Sequence, residues 1–304
     1  MERHDIPQID LVVTDLDNTL YDWVTYFTTA FYRMVEVAAK RLGVRESQLL
    51  DELQVVHRRH LDAEHPFALL ETETVRHMFP GFSPAQAARE LDDAFHEFNR
   101  VRVATLKLYD GVANTLHELR QAGVPIVGHT EATVPNALFR LRKLGIEQFF
   151  SGLYAWAGSG EGHFDEDRAG SLLKTCIRVR FLQRDERKPD PRVLIDICSD
   201  FGVPPDRTLY IGDSIARDVG MAKAAGTWAA WAEYGTKYDA SLWKRLVRIT
   251  HWTSADVRRV EEAQRQFGRA KPDAVLDDSM AQVLSRFRFG KPQHESLLSV
   301  SPIS

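Results

Sequence analysis

A short apolar run that ends in two carboxylates limits most strongly how this chain can fold. Residues 11–13 are Leu-Val-Val, and residues 14–20 are Thr-Asp-Leu-Asp-Asn-Thr-Leu. An uninterrupted apolar run is typical of a strand buried in a parallel sheet, and open sheets of this kind bind ligands at the carboxyl ends of their strands. Alternation along a strand places Asp15 and Asp17 on the same side. Because close carboxylates repel each other, we expect a cation beside them, and their oxygen atoms suit Mg²⁺.

Other interpretations of this segment must be weighed. The residues from Asp15 to Thr19 can form an ordinary polar loop after a strand. They do not fit a calcium-binding loop, since Leu20 and Tyr26 stand where such a loop needs a glycine and a bidentate glutamate. The chemical interpretation therefore depends on what accompanies this segment further along the chain.

Strand-like and helix-like segments alternate along the chain, which is typical of an α/β fold with a parallel sheet. Between residues 22 and 107 the pattern is almost wholly helical, and such an insert is far longer than an ordinary connection. We predict an α/β fold with a Rossmann-like three-layer parallel sheet core and a helical cap domain inserted after the first strand. The expected strands lie near residues 125–130, 149–154, 209–213, 227–231 and 274–276, and the expected helices of the insert include residues 46–60, 71–78 and 84–99.

The same pattern predicts the division of the chain. Residues 1–21 and 108–290 form the expected core, residues 22–107 the cap domain, and residues 291–304 a loosely ordered tail. Two stretches, at about 159–187 and 234–271, exceed a minimal α/β core. Each of them can be a surface insertion, a dimer contact or a substrate lid.

Composition narrows the class of protein. The 304 residues are 44% hydrophobic and 27% charged, as in ordinary globular proteins, and the net charge of −4 does not favour nucleic acid or an anionic membrane as a partner. The sequence has no apolar run of bilayer-spanning length. Two cysteines are too few for a disulfide framework. We therefore expect a cytoplasmic protein, either a monomer or a homodimer.

Four polar elements follow one another in the order of the expected strands. They are Asp15-x-Asp17-x-Thr19, Thr130, Lys188-Pro189 and Gly212-Asp213-Ser214-x-x-x-Asp218. With these residues in this order, the chain resembles the haloacid dehalogenase superfamily, and its long helical segment resembles the type I cap of that family. The resemblance covers about residues 9–287 and is weakest across the two extra stretches.

The resemblance implies a role for each of these residues. Asp15 is the expected nucleophile, and Asp17 the general acid and base. Thr130 and Lys188 bind the substrate's phosphoryl group. Mg²⁺ is the implied cofactor, held by the side chains of Asp15 and Asp213 and by the backbone carbonyl of Asp17. Asp218 lies outside the metal ligands and orients Lys188 or a water molecule.

Each of these residues also has a purely structural interpretation. Thr130 can cap the following helix, and Lys188 ends a charged run that is typical of solvated surface. Asp213 or Ser214 can likewise be a helix cap, and Asp218 an acid favoured in a first helical turn. The separation between Thr130 and Lys188 is also longer than the family pattern by about twenty residues, which leaves Lys174 as an alternative to Lys188, although only Lys188 is followed by Pro-Asp-Pro.

Within the family, the residue two positions after the nucleophile separates the reactions. Displacement of a halide needs no acid for a leaving oxygen, so Asp17 favours phosphate esters. Phosphonate hydrolysis needs a cap lysine, and Lys40 is the one lysine available for that role. We therefore expect a Mg²⁺-dependent phosphatase that acts on a small phosphorylated metabolite. A phosphomutase of the same family and a catalytically idle binding module remain alternatives.

Overall fold

A computed structural model of the chain describes residues 6–65, 67–157, 175–183, 185–250, 258, 262 and 265–290. These residues form a parallel seven-stranded sheet in the order β5-β4-β3-β2-β6-β7-β8, and a short parallel pair, β1 with β9. Across the described part of the chain, we find no helix with the length and apolar character needed to span a membrane. The strands are β1 (Gln8–Ile9), β2 (Leu11–Thr14), β3 (Ile126–Thr133), β4 (Gly152–Trp156), β5 (Arg178–Leu182), β6 (Thr208–Gly212), β7 (Trp228–Trp231), β8 (Ala274–Val275) and β9 (Arg288–Phe289).

The central strands are buried because they are apolar on both faces. All four residues of β2 and all five of β6 are buried, as expected for strands covered by helices on each side. β2 lies in the middle of the sheet, paired with β3 on one side and with β6 on the other. The carboxyl ends of these three strands therefore meet at one edge. The predicted parallel α/β fold is confirmed.

Helices flank the sheet and fill the connection between β2 and β3. The helices α1 to α5 all lie within that connection, and 3₁₀ turns occur at Ala68–Glu71, Glu147–Phe149, Pro205–Arg207, Glu233–Thr236 and Met280–Gln282. The α-helices are α1 (Trp23–Leu42), α2 (Glu46–His60), α3 (Glu73–Met78), α4 (Pro84–Glu90), α5 (Asp92–Thr105), α6 (Val112–Gln121), α7 (Val134–Lys143), α8 (Pro191–Phe201), α9 (Gly220–Ala224), α10 (Ala240–Ile249) and α11 (Val283–Arg286).

The helical segment differs in detail from the prediction. The helix expected over residues 84–99 is two helices, α4 and α5, and the second continues to Thr105. Leu91 separates them with a non-helical backbone (φ −113°, ψ 18°) and is buried. The apolar spacing continues across this break, so it does not reveal where one helix ends and the next begins.

The two extra stretches contribute to the fold in different ways. Residues 178–182, within the first stretch, form the edge strand β5, paired with β4; this strand was not predicted. In the second stretch, α10 lies against the helical segment, where the Tyr32 hydroxyl donates to the Arg245 carbonyl at 3.0 Å. Residues 158–174, which include Lys174, and the tail from residue 291 lie outside the described residues.

Candidate active site

Two carboxylates hold a buried lysine at the carboxyl end of the sheet. Asp15 directly follows β2, Asp218 lies in a π-helical turn after β6, and Lys188 precedes α8. The Lys188 Nζ atom lies 2.7 Å from Asp15 Oδ1 and 2.8 Å from Asp218 Oδ1. Lys188 is 4% exposed and Asp218 1% exposed. Because a buried charge is stable only when it is paired, these side chains form one fixed unit, which together with Asp213 we call the Lys188 cluster.

The backbone around β6 allows this close approach. A Cβ atom on Gly212 would lie 2.4 Å from Asp218 Cγ, so this position admits glycine alone. The Ser214 backbone N–H donates to Asp218 Oδ2 at 3.0 Å. The backbone N–H of Asp15 donates to the Ile211 carbonyl at 2.9 Å, which ties the end of β2 to β6. In the sequence Gly-Asp-Ser-x-x-x-Asp, the glycine is thus required for packing against Asp218, and the two aspartates supply carboxylates.

The Lys188 cluster contains three carboxyl groups and one ammonium group. Burial raises the pKa of Asp15 to about 7, against the opposing effect of the Lys188 ammonium. Burial, and then the charges of Asp218 and Asp15, raise the pKa of Asp213 well above its ordinary range. Burial opposes the charge on Lys188, yet Asp15 and Asp218 outweigh it and raise its pKa well above the ordinary value. The carboxylates therefore lack a full complement of positive charge.

This donor set fits a hard divalent cation. Oxygen atoms of Asp15, Asp213 and Asp218 lie within 4.8 Å of one another, and carboxylates are the ligands that Mg²⁺ prefers. Asp218 is already engaged by Lys188 and by the Ser214 N–H. Asp15 and Asp213 are therefore the side chains best placed to bind the ion.

Thr130 lies at the same edge of the sheet. It is 1% exposed, belongs to β3 and lines the same cavity as Asp15 and Asp213. Its hydroxyl accepts a hydrogen bond from the Ala132 N–H at 3.1 Å. It does not cap α7, whose N-cap is Thr133, so the helix-cap interpretation of Thr130 is wrong.

A second buried cation lies beside Asp17. The Arg140 guanidinium, 1% exposed, donates from Nη1 to Asp17 Oδ1 at 2.9 Å and from Nη2 to both oxygens of Glu64. The Asn136 amide and the Trp23 indole N–H also donate to Glu64. Burial raises the pKa of Asp17, and the charge of Arg140 counteracts part of this effect. We call this group the Arg140 cluster.

The two clusters border one cavity of about 350 Å³. Residues of the helical segment form part of its wall, and residues in and around α10 form another part. The lining residues from these two regions are Trp23, Asp62, Ala63 and Glu64, and Tyr238, Trp243, Leu246 and Thr250. The second extra stretch therefore contributes directly to the site.

The structure brings the predicted site residues together. Asp15, Asp17, Thr130 and Asp213 line the cavity, and Lys188 and Asp218 lie directly behind Asp15. Lys188 is buried, so its interpretation as solvated surface is wrong. Ser214 does accept a hydrogen bond from the Arg217 N–H, so the cap expected in this motif exists alongside the carboxylate cluster.

No local sequence pattern indicates the Arg140 cluster. Arg140 is one of several basic residues in the last turn of α7, where the helix dipole ordinarily favours them, and so nothing marked it as special. Glu64 follows α2 in a polar turn. Its partners Arg140 and Asn136 are 76 and 72 residues away along the chain. Only the tertiary structure reveals this group.

A parallel sheet with a carboxylate–lysine cluster at its carboxyl edge defines an α/β protein whose ligand site lies at the strand ends. The family model described as haloacid dehalogenase-like hydrolase matches residues 9–226, and the chain belongs to this family.

The curated relatives and solved structures that are similar to the chain include two phosphatases and a dehalogenase. A glyceraldehyde 3-phosphate phosphatase of Methanopyrus kandleri is 27% identical over 72% of this chain and 81% of its own length. A phosphoglycolate phosphatase of Pseudomonas putida is 28% identical over 76% of this chain and 72% of its own. The crystal structure of a 2-haloacid dehalogenase from Pseudomonas syringae has a TM-score of 0.52 at 20% identity, covering 91% of this chain and 96% of that one, and supports the fold.

Proposed function

We propose that this chain is a Mg²⁺-dependent phosphatase that hydrolyses a small phosphomonoester through an aspartyl-phosphate on Asp15. The observation that carries the proposal is Asp15 itself, a buried carboxylate at the carboxyl end of the central strand, 2.7 Å from the Nζ atom of a buried lysine. The phosphatase activity of the two curated relatives supports the same reaction class.

In the first step, an Asp15 carboxylate oxygen attacks phosphorus while the bond from phosphorus to the leaving oxygen breaks. Asp17 gives its proton to that oxygen, so that an alcohol departs. In the second step, Asp17 takes a proton from water as the water oxygen attacks phosphorus. The bond to Asp15 then breaks, which regenerates the carboxylate and releases inorganic phosphate.

The charged residues neutralise the phosphoryl oxygens during both steps. The Lys188 ammonium, fixed by Asp218, lies beside the nucleophile, and the Thr130 hydroxyl is assigned to another phosphoryl oxygen. Asp15 and Asp213 would hold Mg²⁺ by their side chains and Asp17 by its backbone carbonyl. When bound, the ion supplies positive charge that reduces the repulsion between Asp15 and an anionic substrate.

Asp17 distinguishes this proposal from dehalogenation. Burial raises the pKa of its carboxyl group, which favours the protonated form that a leaving oxygen requires. A halide leaving group needs no proton. The helices within residues 22–107 are assigned the role of a cap domain, since Trp23, Asp62 and Glu64 cover one side of the cavity. Residues above the phosphoryl group would then select the leaving group and exclude water.

The first test is hydrolysis of an aryl phosphate, with and without Mg²⁺, by the wild type and by Asp15→Asn. We expect Mg²⁺-dependent release of inorganic phosphate in the wild type and its loss in the variant, because an amide is a poor nucleophile. Circular dichroism and the thermal unfolding midpoint of Asp15→Asn verify that the fold is retained. Full turnover by a folded Asp15→Asn would remove Asp15 as the nucleophile. Release of free phosphate, rather than its transfer to a second site of the substrate, separates a phosphatase from a phosphomutase.

A further inference from the structure

A part of the cavity is lined by three further carboxylates, in addition to Asp15, Asp17 and Asp213. Asp62 and Glu64 come from the turn after α2, and Glu131 comes from β3. The Glu64 backbone N–H donates to Asp62 Oδ1 at 2.8 Å, which holds the two acidic residues next to each other. The leaving group of a bound phosphate ester would occupy this part of the cavity.

The cations near these carboxylates are already engaged. Arg140 lies between Asp17 and Glu64, and so balances one of two neighbouring negative charges. Arg217 is the one arginine or lysine among the described residues that line the cavity, and it is paired with Glu131. Among the described residues, therefore, each arginine close to these carboxylates already pairs with at least one of them, and carboxylates outnumber cations in the cavity lining.

Two further features favour a leaving group that donates hydrogen bonds. The Oε1 atom of Glu131 is buried and has no hydrogen-bond donor among the described residues. A buried acceptor of this kind is costly unless a ligand supplies the donor. Trp23, Tyr238 and Trp243 also line the cavity, and aromatic faces pack well against C–H groups and against ammonium groups.

We propose that the substrate of this site is a phosphate ester whose alcohol part carries hydroxyl or ammonium groups and no negative charge. This inference rests on the proposed phosphatase function. Phosphoglycolate, the substrate named for a curated relative, has a carboxylate in its alcohol part and would be disfavoured here. Repulsion between the cavity carboxylates and the carboxylate of phosphoglycolate, in a partly desolvated cavity, should reduce affinity by about tenfold or more.

The test compares three small phosphate esters that differ in the charge of their alcohol part. They are phosphoglycolate (negative), glycerol 1-phosphate (neutral) and phosphoethanolamine (positive). We expect kcat/KM of the wild type, at about pH 8 with Mg²⁺, to be at least about tenfold higher for the last two than for phosphoglycolate. Equal or greater turnover of phosphoglycolate would overturn the inference and leave the phosphatase assignment intact.

A charge variant identifies the source of the selectivity. Asp62→Asn removes one negative charge but retains the side-chain oxygen that accepts a hydrogen bond from the Glu64 N–H. It should reduce the ratio of kcat/KM for glycerol 1-phosphate to kcat/KM for phosphoglycolate about threefold or more. Asp93→Asn removes the same charge from an exposed position on α5 and should leave the ratio unchanged. An unchanged ratio in a folded Asp62→Asn, or an equal effect of Asp93→Asn, would contradict a role for the cavity carboxylates.

A binding measurement tests this inference independently of the proposed phosphatase activity. Calorimetric titration of Asp15→Asn with each of the three esters, in the presence of Mg²⁺, measures affinity without turnover. If phosphoglycolate binds about tenfold more weakly than the other two esters, the inference is supported even if the wild type hydrolyses no ester. Tightest binding of phosphoglycolate would overturn it whatever the outcome of the activity assay.

Discussion

Two buried cations, Lys188 and Arg140, each lie between two carboxylates at the same cavity. Lys188 joins Asp15 and Asp218, which both lie in turns directly after strands of the sheet. Arg140 joins Asp17, after β2, to Glu64, which follows a helix of the connection between β2 and β3. The Lys188 cluster thus belongs wholly to the sheet edge, whereas the Arg140 cluster connects the sheet edge to the helical segment.

This difference separates chemistry from selection. The groups around Lys188 are assigned to the phosphoryl group, which every phosphomonoester shares. In the Arg140 cluster, Asp17 is assigned to proton transfer, whereas Glu64 is assigned to the leaving group, which differs from one phosphomonoester to another. Both clusters are expensive to bury, since removing one partner of a buried ion pair leaves its counter-charge uncompensated. They should therefore differ in what they do to turnover more than in what they do to stability.

The largest expected effect is that of Lys188→Met. It should lower kcat/KM about a thousandfold and destabilise the fold by about 3–5 kcal/mol, because Asp15 and Asp218 lose their shared counter-charge. Steady-state kinetics and urea unfolding measure the two effects. Lys223→Met is the matched control, since Lys223 is 40% exposed by its side chain and its pairing with Asp273 should contribute less than about 1 kcal/mol. Near-normal turnover by a folded Lys188→Met would exclude Lys188 from the site.

Loss of Arg140 should affect stability about as much as loss of Lys188, but should reduce turnover less. Arg140→Met should destabilise the fold by about 3 kcal/mol, because Asp17 and Glu64 are then buried without a counter-charge, and should lower kcat about tenfold to a hundredfold. Urea unfolding and single-turnover kinetics report the two effects.

A second substitution tests whether the Arg140 effect is electrostatic. Adding Glu64→Gln to Arg140→Met removes one uncompensated charge and should recover about 1–2 kcal/mol of the lost stability. Arg142→Met, on the same helix and paired with Glu147 at 2.9 Å, is the control. If the double variant is no more stable than Arg140→Met, the loss is one of packing rather than charge.

In the Lys188 cluster, Asp15 and Asp213 were predictable from local patterns, whereas Lys188 and Asp218 were identified from the order of the four motifs, which resembles the haloacid dehalogenase superfamily. A strand followed by Asp-x-Asp, or by Gly-Asp-Ser-x-x-x-Asp, places its carboxylate at the sheet edge whatever the rest of the chain does. The parallel sheet was predictable for the same reason, except for β5. Residues 178–182 are Arg-Val-Arg-Phe-Leu, and this edge strand leaves Arg178 and Phe181 exposed, so its pattern is not that of a buried strand.

The Arg140 cluster was not predictable in this way. Arg140 and Asp17 are separated by 123 residues, and their contact depends on how α7 packs on the sheet, against β3 and β4. The position of α10 at the cavity was likewise not predictable from local sequence. Its sequence shows only a charged amphipathic helix, whereas its place beside α1 and α2 follows from tertiary contacts such as the one between Ile249 O and His57 Nδ1, at 2.6 Å. Local patterns and their order therefore predicted the residues at the sheet edge, whereas the residues on the other side of the cavity became apparent only in the structure.

The smallest expected effect concerns the free energy of unfolding that is lost because Asp62 is buried in the cavity wall. Burial, and then the charge of Glu64, raise the pKa of Asp62 from its ordinary value of 3.8 to about 6. A raised carboxyl pKa means that the folded state resists ionisation. Below about pH 4, Asp62 is protonated in both states and costs nothing. Between about pH 4 and pH 6, the unfolded chain loses this proton first, and above that range the full cost of at most about 3 kcal/mol is present.

Asp62→Asn should therefore stabilise the protein by about 1–3 kcal/mol at about pH 8 and have little effect at about pH 4. Urea unfolding at the two pH values measures the change, and Asp93→Asn controls for the loss of one negative charge at an exposed position. Together with reduced discrimination against phosphoglycolate, this gain would show that the fold loses stability to keep a carboxylate where it repels the wrong leaving group. A variant that is less stable at about pH 8 would instead make Asp62 a structural residue, held in place by the Glu64 N–H.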